Sequence, residues 1–306
     1  MMRGAKSAMI STAMMWRSEA DDVLQRMGEL RMPKAEAGVW AKYYGGKYEM
    51  DSQNTNYTTN YKAYQVGYDK KINDNWIVGV AASYNDSDSS YDLGGKGDGE
   101  IAGLSVYGTM QKDDGSYLDL VFKGGRLKNE YTVYNDMGHE LNGDYSTWAA
   151  SISAEYGKLF TENNGFYFAP SVQLTMGHVA SKDYKADSDF LAADNRNKQL
   201  AVSQDAYNSM VGKIGFTLGR QLDGSSYYAK LALAHEFGND FTTTFAAENE
   251  PTSQTTVDFG DTWYEARIGG SMKLSDNSLL FADYQRSFGG DVEEKWRVDA
   301  GLKFTF

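Results

Sequence analysis

The chain has 306 residues, with 30 Lys plus Arg against 42 Asp plus Glu, and its net charge of -12 argues against a nucleic-acid partner, whose phosphates attract the opposite sign. No cysteine is present, which excludes a disulfide scaffold, a thiolate metal site and a thiol nucleophile, and fits the oxidising side of a cell envelope. The longest unbroken apolar stretch, Trp76 to Ala82, is far short of the roughly 20 residues that a membrane-spanning helix needs, whereas the alternating strands of a β-barrel escape any hydropathy scan.

In chain order the first element is a helix. From Ala5 to Arg31 there is no proline, and Ala, Met, Leu, Glu, Gln and Arg, all good helix formers, predominate. Met14, Val23, Leu24, Met27 and Leu30 recur at helical steps, and Pro33 ends the pattern. Such a helix is roughly 40 Å long at about 1.5 Å per residue, comparable to a membrane with its headgroups. Met1 to Met15 lacks the apolar core and cleavage site of a signal peptide, so export would make this chain a piece of a longer precursor.

From Glu36 the period changes to two. Trp76, Val78, Val80, Ala82 and Tyr84 alternate with small or polar residues, as do Trp148, Ala150, Ile152, Ala154 and Tyr156. The last run is the clearest, with Trp296, Val298, Ala300, Leu302, Phe304 and Phe306 set against Arg297, Asp299, Gly301, Lys303 and Thr305. Each run is about nine to eleven residues, the length that a tilted strand needs to cross a bilayer. Tight turns at 73–75, 113–115, 162–165, 223–224 and 275–277 alternate with long polar stretches at 48–60, 86–99, 127–143, 179–206, 239–260 and 289–294.

Twelve strands are expected, starting near Glu36, Tyr61, Trp76, Glu100, Ser116, Asp144, Gly165, Asn208, Ser226, Asp261, Ser278 and Lys295. A soluble sandwich shares the alternation, but the strand length, the even count and the aromatic ends of the apolar faces favour an all-β transmembrane fold, a twelve-stranded antiparallel outer-membrane barrel. The opposite faces carry Asp119, Lys123, Lys213, Lys230, Glu265, Arg267, Lys273, Arg297 and Lys303, and would line a pore. A lumen of this size suits about one helix. The division expected is therefore 1–33, a linker helix spanning the lumen, and 34–306, the barrel. Arg17, Glu19, Asp21, Asp22, Arg26, Glu29 and Arg31 would pair with lumen charges, the alternative being a helix on the outer surface.

The run Gln25-Arg26-Met27-Gly28-Glu29-Leu30-Arg31, followed by a twelve-stranded pattern with an aromatic last residue, resembles the translocator domain of autotransporters, the type V secretion proteins of Gram-negative bacteria. Leu127 to Tyr131 after strand five, Glu155 to Gly157 in strand six and Phe168 to Pro170 in strand seven are similar too. Asp299, Gly301, Phe304 and Phe306 match the polar-x-Gly-x-x-aromatic-x-aromatic signal read by the outer-membrane assembly machinery. The resemblance covers essentially the whole chain. It implies a monomeric domain in an outer membrane containing lipopolysaccharide, which exports an N-terminal passenger and is then plugged by its helix. No cofactor, metal or nucleic acid is implied. A porin-like channel or an outer-membrane hydrolase is the alternative.

Some relatives of that kind cleave themselves inside the pore at two consecutive asparagines, where Asp21 and Asp22 stand in this sequence. An ionised carboxylate only accepts hydrogen bonds and has no amide nitrogen to attack a carbonyl, so cleavage by that route is expected to be slow or absent. Asp119 and Glu155 match positions where cleaving relatives keep lumen carboxylates, and a third position falls on Gln173; the plainer role for both acids is to pair with lumen Lys or Arg. His139, His178 and His235 are too scattered for a zinc site. His178, near Ser181 and Asp183, is the best hydrolase candidate. Gly94 to Gly99 lacks a following helix and reads as a surface loop rather than a phosphate cradle.

Overall fold

The computed structural model describes residues 2–30, 38–52, 55–189, 199–238, 240–247 and 252–306, with the side chains of residues 2, 3, 25–30 and 52 outside that description. Helix α1 (Met2–Leu30) comes first. The strands β1 (Gly38–Ser52), β2 (Thr55–Lys71), β3 (Trp76–Tyr91), β4 (Lys96–Gln111), β5 (Ser116–Tyr134) and β6 (Glu140–Lys158) follow as an antiparallel meander. After the two-residue rung β7 (Phe160–Thr161) come β8 (Phe166–Val179), β9 (Lys182–Ser188) and β10 (Gln199–Gln204). Then come β11 (Tyr207–Leu222), β12 (Ser225–Glu236), β13 (Phe241–Ala246), β14 (Ser253–Val257), β15 (Asp261–Ser275), β16 (Ser278–Phe288) and β17 (Val292–Thr305).

Among the described residues, β1 to β6, β8, β11, β12 and β15 to β17 are the twelve staves of a closed antiparallel barrel. Closure runs through β1 and β17, paired from Gly38 opposite Thr305 to Met50 opposite Val292 with one bulge between Lys47 and Tyr48. The alternation sorts as expected: Trp148, Ile152 and Tyr156 face outward, Trp148 being 67% exposed. Asp119, Lys123, Glu155 and Arg297 are buried inside.

Several expected boundaries are corrected. The staves run from 11 to 19 residues, and the stretches 48–60, 86–99 and 127–143 are mostly strand, so Leu127 to Tyr131 lies within β5. Above the lipid-facing band large inward rings persist (Tyr57, Tyr91, Tyr131, Tyr145) among small polar residues such as Thr59 and Ser89, while the outward side chains become polar because they meet water. Asp88, Asp98, Glu130 and Asp144 stand directly opposite one another there on β3 to β6. Lost outward apolarity made continuous strands read as loops. Gly97 and Gly99 belong to β4, leaving a three-residue turn, Asp92–Gly94, as the actual loop. Within 179–206 and 239–260 the strands β9, β10, β13 and β14 extend the sheet outward, β10 bridging β9 and β13. The stretch 289–294 is a short turn at Gly289 (φ 89°). Pro33 and Glu36 fall outside the described residues.

Inside the barrel, glycine and aromatic residues form a repeated joint. Trp40 lies opposite Gly67, Tyr107 opposite Gly79, Tyr117 opposite Gly157, Tyr131 opposite Gly143, Tyr167 opposite Gly219 and Phe281 opposite Gly301. In each pair the ring lies over the glycine, where a Cβ would come within 2.6 Å of ring atoms. Each ring so covers bare neighbouring backbone. Gly157→Ala would press on the Tyr117 ring and hydroxyl and is expected to destabilise the barrel by about 1–3 kcal/mol. Gly124→Ala, whose new Cβ would meet only the Ala149 carbonyl oxygen at 3.9 Å, should be neutral. The temperature at which the fast-migrating folded band is lost on unheated gels measures both.

Candidate functional site

A helix inside a barrel has no solvent side, and α1 is accordingly buried around its circumference: Ala5, Ala8, Met9, Ile10, Ala13, Met14, Trp16, Ala20 and Val23 are buried, and so are Ser7, Ser11, Glu19 and Asp22. This explains why its amphipathic stripe is weak. The helix packs against β2 to β6 and β8. Its N-terminal end lies among the strands that rise above the lipid-facing band, with Gly4 against Val133, while Leu24 clusters with Trp40, Ile77 and Tyr107 toward the tight-turn end.

The lumen has two storeys. In the upper one, Met9, Ile10, Ala13 and Met14 are enclosed by Tyr57, Tyr91, Tyr131, Tyr145, Tyr207, Phe241 and Phe245, an apolar seal. Among its polar groups, Asn129 Nδ2 donates to Ala8 O (3.2 Å) and Thr12 Oγ1 (2.5 Å). Arg17 lies over the Trp263 ring at 4.6 Å, with Glu236 at 3.9 Å.

Below the seal the described part of the helix presents three carboxylates, Glu19, Asp21 and Asp22, and each meets its own set of donors on the wall. Glu19 is held by Lys123 Nζ and the Tyr44 hydroxyl, with Asn85 Nδ2 at 2.9 Å, and Lys123 also donates to the Glu19 carbonyl at 3.0 Å. Both Lys123 and Glu19 side chains are 0% exposed. Asp22 accepts from Lys42 Nζ (2.5 Å), Gln65 Nε2 (2.5 Å) and Arg297 Nη2 (2.8 Å). Asp21 points elsewhere, accepting from Lys213 Nζ (2.5 Å), Gln173 Nε2 (2.9 Å) and Thr175 Oγ1 (2.9 Å), with Glu265 2.9 Å from the same lysine. Charges removed from water to this degree are tolerated only when paired and hydrogen-bonded.

The expected lumen acids fall in one row. Thr109, Asp119, Glu155, Gln173 and Lys213 stand directly opposite one another on β4, β5, β6, β8 and β11. Glu155 pairs with Lys230 (3.0 Å) and the Tyr117 hydroxyl (3.0 Å), and shares a cavity with Asp21, Gln173 and Lys213. Asp119 accepts from Thr109 at 2.5 Å and sits one strand further from Asp21. Glu155, Gln173 and Asp21 thus line one cavity, and within it Gln173 donates to Asp21. Lys273 lies at the rim beside Asp276 (2.8 Å) rather than in the lumen. Arg26 and Glu29 have side chains outside the described set, as does the whole of Arg31.

The C-terminal residues divide by face. Asp299 is buried against Arg297 (2.8 Å to both carboxylate oxygens), and Gly301 underlies Phe281. Phe304 and Phe306 face outward, Phe306 stacking near Tyr68 at 6.4 Å between centroids. His178, Ser181 and Asp183 do not assemble: His178 Nδ1 pairs with Asn208 Oδ1 at 2.7 Å on the exterior, and Asp183 binds Ser203 at 2.6 Å. Among the described residues no group of His, Asp and Glu is arranged to hold a metal ion. Lys42, Gln65 and Tyr44 were missed as site residues, although Trp40, Lys42 and Tyr44 alternate inward on β1 and carry the necessary signal.

Comparison with known proteins matches residues 39–285 to the family model "Autotransporter beta-domain". The chain is 22% identical to the pertactin autotransporter of Bordetella parapertussis over 303 residues, covering 95% of this chain and 31% of that protein. It is 26% identical to the serine protease EspP of Escherichia coli, covering 94% of this chain and 22% of that one. The chain therefore spans a third or less of these curated relatives. Among solved structures it resembles the translocator domain of the autotransporter NalP from Neisseria meningitidis, with a TM-score of 0.72 at 14% identity, covering 95% and 98% of the two chains. The β domain of the Bordetella autotransporter BrkA gives 0.67 at 21% identity, covering 89% and 100%.

Lys123→Met strands Glu19 without its cation and is expected to cost about 3–5 kcal/mol, most of it recovered by adding Glu19→Gln. The exposed Lys62 to Asp86 pair (2.8 Å) supplies the contrast, with Lys62→Ala expected to leave the unfolding midpoint essentially unchanged because solvent screens the pair. Denaturant titration in lipid vesicles, run as a double-mutant cycle, measures both.

Proposed function

The chain belongs to the autotransporter β-domain family, and from that membership we propose that residues 1–33 are the linker and residues 34–306 the barrel of a translocator in the outer membrane of a Gram-negative bacterium. Its cargo is an N-terminal passenger carried to the cell surface. The linker follows the passenger and stays behind as the plug. One observation carries this reading: α1 sits in a closed lumen with its N-terminal end among the outward-rising strands. A segment entering the pore last lies this way round, with whatever preceded it already outside. Neither nucleotide nor ion gradient is available at that membrane, so passenger folding outside supplies the drive, because sliding back would cost the folding free energy, roughly 5–15 kcal/mol for a domain. The remaining partners in this reading are the assembly machinery, engaged through Asp299, Gly301, Phe304 and Phe306, and a bilayer with lipopolysaccharide around a monomeric barrel.

Self-cleavage is the chemistry that the site is poised beside but not equipped for. In the cyclisation route an asparagine amide nitrogen attacks its own backbone carbonyl, a ring closes, and the next residue leaves as a free amine. Asp21 has no such nitrogen, and its oxygens are occupied by Lys213, Gln173 and Thr175. The passenger therefore stays tethered in this reading, with Asp119 and Glu155 serving as lumen ion-pair and hydrogen-bond partners.

A folded reporter placed before Met1 is expected to become accessible to protease on intact cells. A reporter held in the periplasm behind a folded barrel would count against the translocator reading. Asp21→Asn in that fusion should raise cleavage between positions 21 and 22 from none to a band visible on a gel, and no change with a folded barrel would contradict the cyclisation chemistry. In planar bilayers the intact chain should conduct far below an open twelve-stranded pore; steady large conductance would favour a diffusion channel.

A further inference from the structure

The lipid-facing belt is not equally bulky all the way round. Along one ladder row the outward residues run from Val80 on β3 through Val106, Phe122, Ile152 and Met176 to Met210 on β11, and from β5 onward they are large. Between β17 and β4 the floor is made of small side chains instead. Val39 and Val80 flank Tyr68 in that same row, and Ala41, Val66 and Ala82 stand side by side in the next, so the surface sinks into an apolar hollow of about 690 Å³. Phe304 on β17 and Leu104 on β4 bound its two sides. Tyr43, Tyr64 and Tyr84, directly opposite one another on β1 to β3, form its upper rim.

The apolar band is also short here. On the outward face of β2 only Tyr64, Val66 and Tyr68 separate Lys62 from Lys70. At roughly 3.3 Å per residue that is about 26 Å of strand, and with a tilt of about 40° about 20 Å of membrane depth, less than the roughly 25 Å band of such barrels. Lys70 is therefore held at the inner margin of the band, at the tight-turn end, directly opposite Val78. Lys62 is answered by Asp86 (2.8 Å) and Lys71 by Asp74 (3.5 Å), whereas Lys70, exposed on the outer face, forms no ion pair among the described residues. A cation beside lipid draws an anion, and the anion at that depth is a headgroup phosphate.

We propose that the hollow and Lys70 together bind an anionic glycerophospholipid of the leaflet at the tight-turn end, one acyl chain lying over Ala41, Val66 and Ala82 and the phosphodiester meeting the Lys70 ammonium. The chain regains the dispersion contacts that a hollow forfeits, and the ammonium gains a charge-assisted bond where water screens little. Neither half selects by itself, since any acyl chain fills a hollow and any anionic headgroup visits a lysine. Joined, they hold one lipid class in one place. The choice of a glycerophospholipid over lipopolysaccharide rests on the outer-membrane reading above, in which the tight turns face the periplasm and its phospholipid leaflet.

The full chain is refolded into vesicles of phosphatidylcholine and phosphatidylglycerol in equal parts, extracted into mild detergent, and weighed by native mass spectrometry with whatever lipid it keeps. The parent should keep one phosphatidylglycerol at least fivefold more often than one phosphatidylcholine. Lys70→Gln should bring the two lipids within twofold of each other, and Ala82→Phe, which fills the hollow, should lower retention of both at least fivefold. Lys158→Gln, at the same end on β6 and paired with Asp114, should behave as the parent. Heat-modifiable mobility on a gel shows that each variant is folded. A parent without preference overturns the proposal, as does a preference that survives Lys70→Gln or a retention untouched by Ala82→Phe. Export plays no part in this assay, so such a result beside a surface-exposed reporter would remove the lipid site and leave the translocator reading standing.

Discussion

A closed lumen gives a helix no water to turn toward, and everything polar about this molecule's interior follows from that constraint. On a soluble protein Glu19, Asp21 and Asp22 would sit on a wet face at little cost. Inside the barrel each must be met by donors that the wall holds in advance, and the wall supplies Lys123, Lys213, Lys42 and Arg297 at the matching heights. Replacing such pairs by well-packed apolar residues would often be neutral or stabilising, so their value lies in specifying one position of the helix rather than in raw stability.

The same constraint accounts for an unusual composition. With 32 glycines and 22 tyrosines the chain looks at first like a low-complexity sequence. The tyrosines divide between two environments: Tyr64, Tyr84 and Tyr156 are exposed on the outer face, while Tyr44, Tyr57, Tyr117, Tyr131 and Tyr207 are buried inside. Most of these inward rings cover glycine backbone or wrap the upper helix, while Tyr44 donates to Glu19 below the seal, so that rings fill a lumen too wide for aliphatic side chains alone and leave a hydroxyl for local polar needs.

The strand count, the facing of each alternating run and the presence of a pore helix were legible in the sequence because lipid imposes a strict period of two with one face apolar. Trp296 to Phe306 is the plainest instance. Legibility failed where the solvent outside the barrel changed. Around Asp88, Asp98 and Glu130 the strands continue but the outward residues meet water, so the apolar half of the signal vanishes although the inward half persists. At the site, Asp21, Asp22 and several wall cations could be named in advance. Their partners could not, because whether Lys42 or Lys230 meets Asp22 depends on strand stagger, which no local pattern encodes; Lys230 meets Glu155 instead.

Two neighbouring residues of α1 are pulled in opposite senses, Asp21 toward β8 and β11 and Asp22 toward β1, β2 and β17. Successive helix positions are separated by about 100° of rotation and 1.5 Å of rise. Turning the helix to improve one contact spoils the other, and sliding it by a residue displaces both while dragging Glu19 off Lys123. The arrangement works as a keyed shaft: a tug on its outer end meets all three locks at once, so tension on anything attached there is borne by the barrel wall rather than by the short connection to β1.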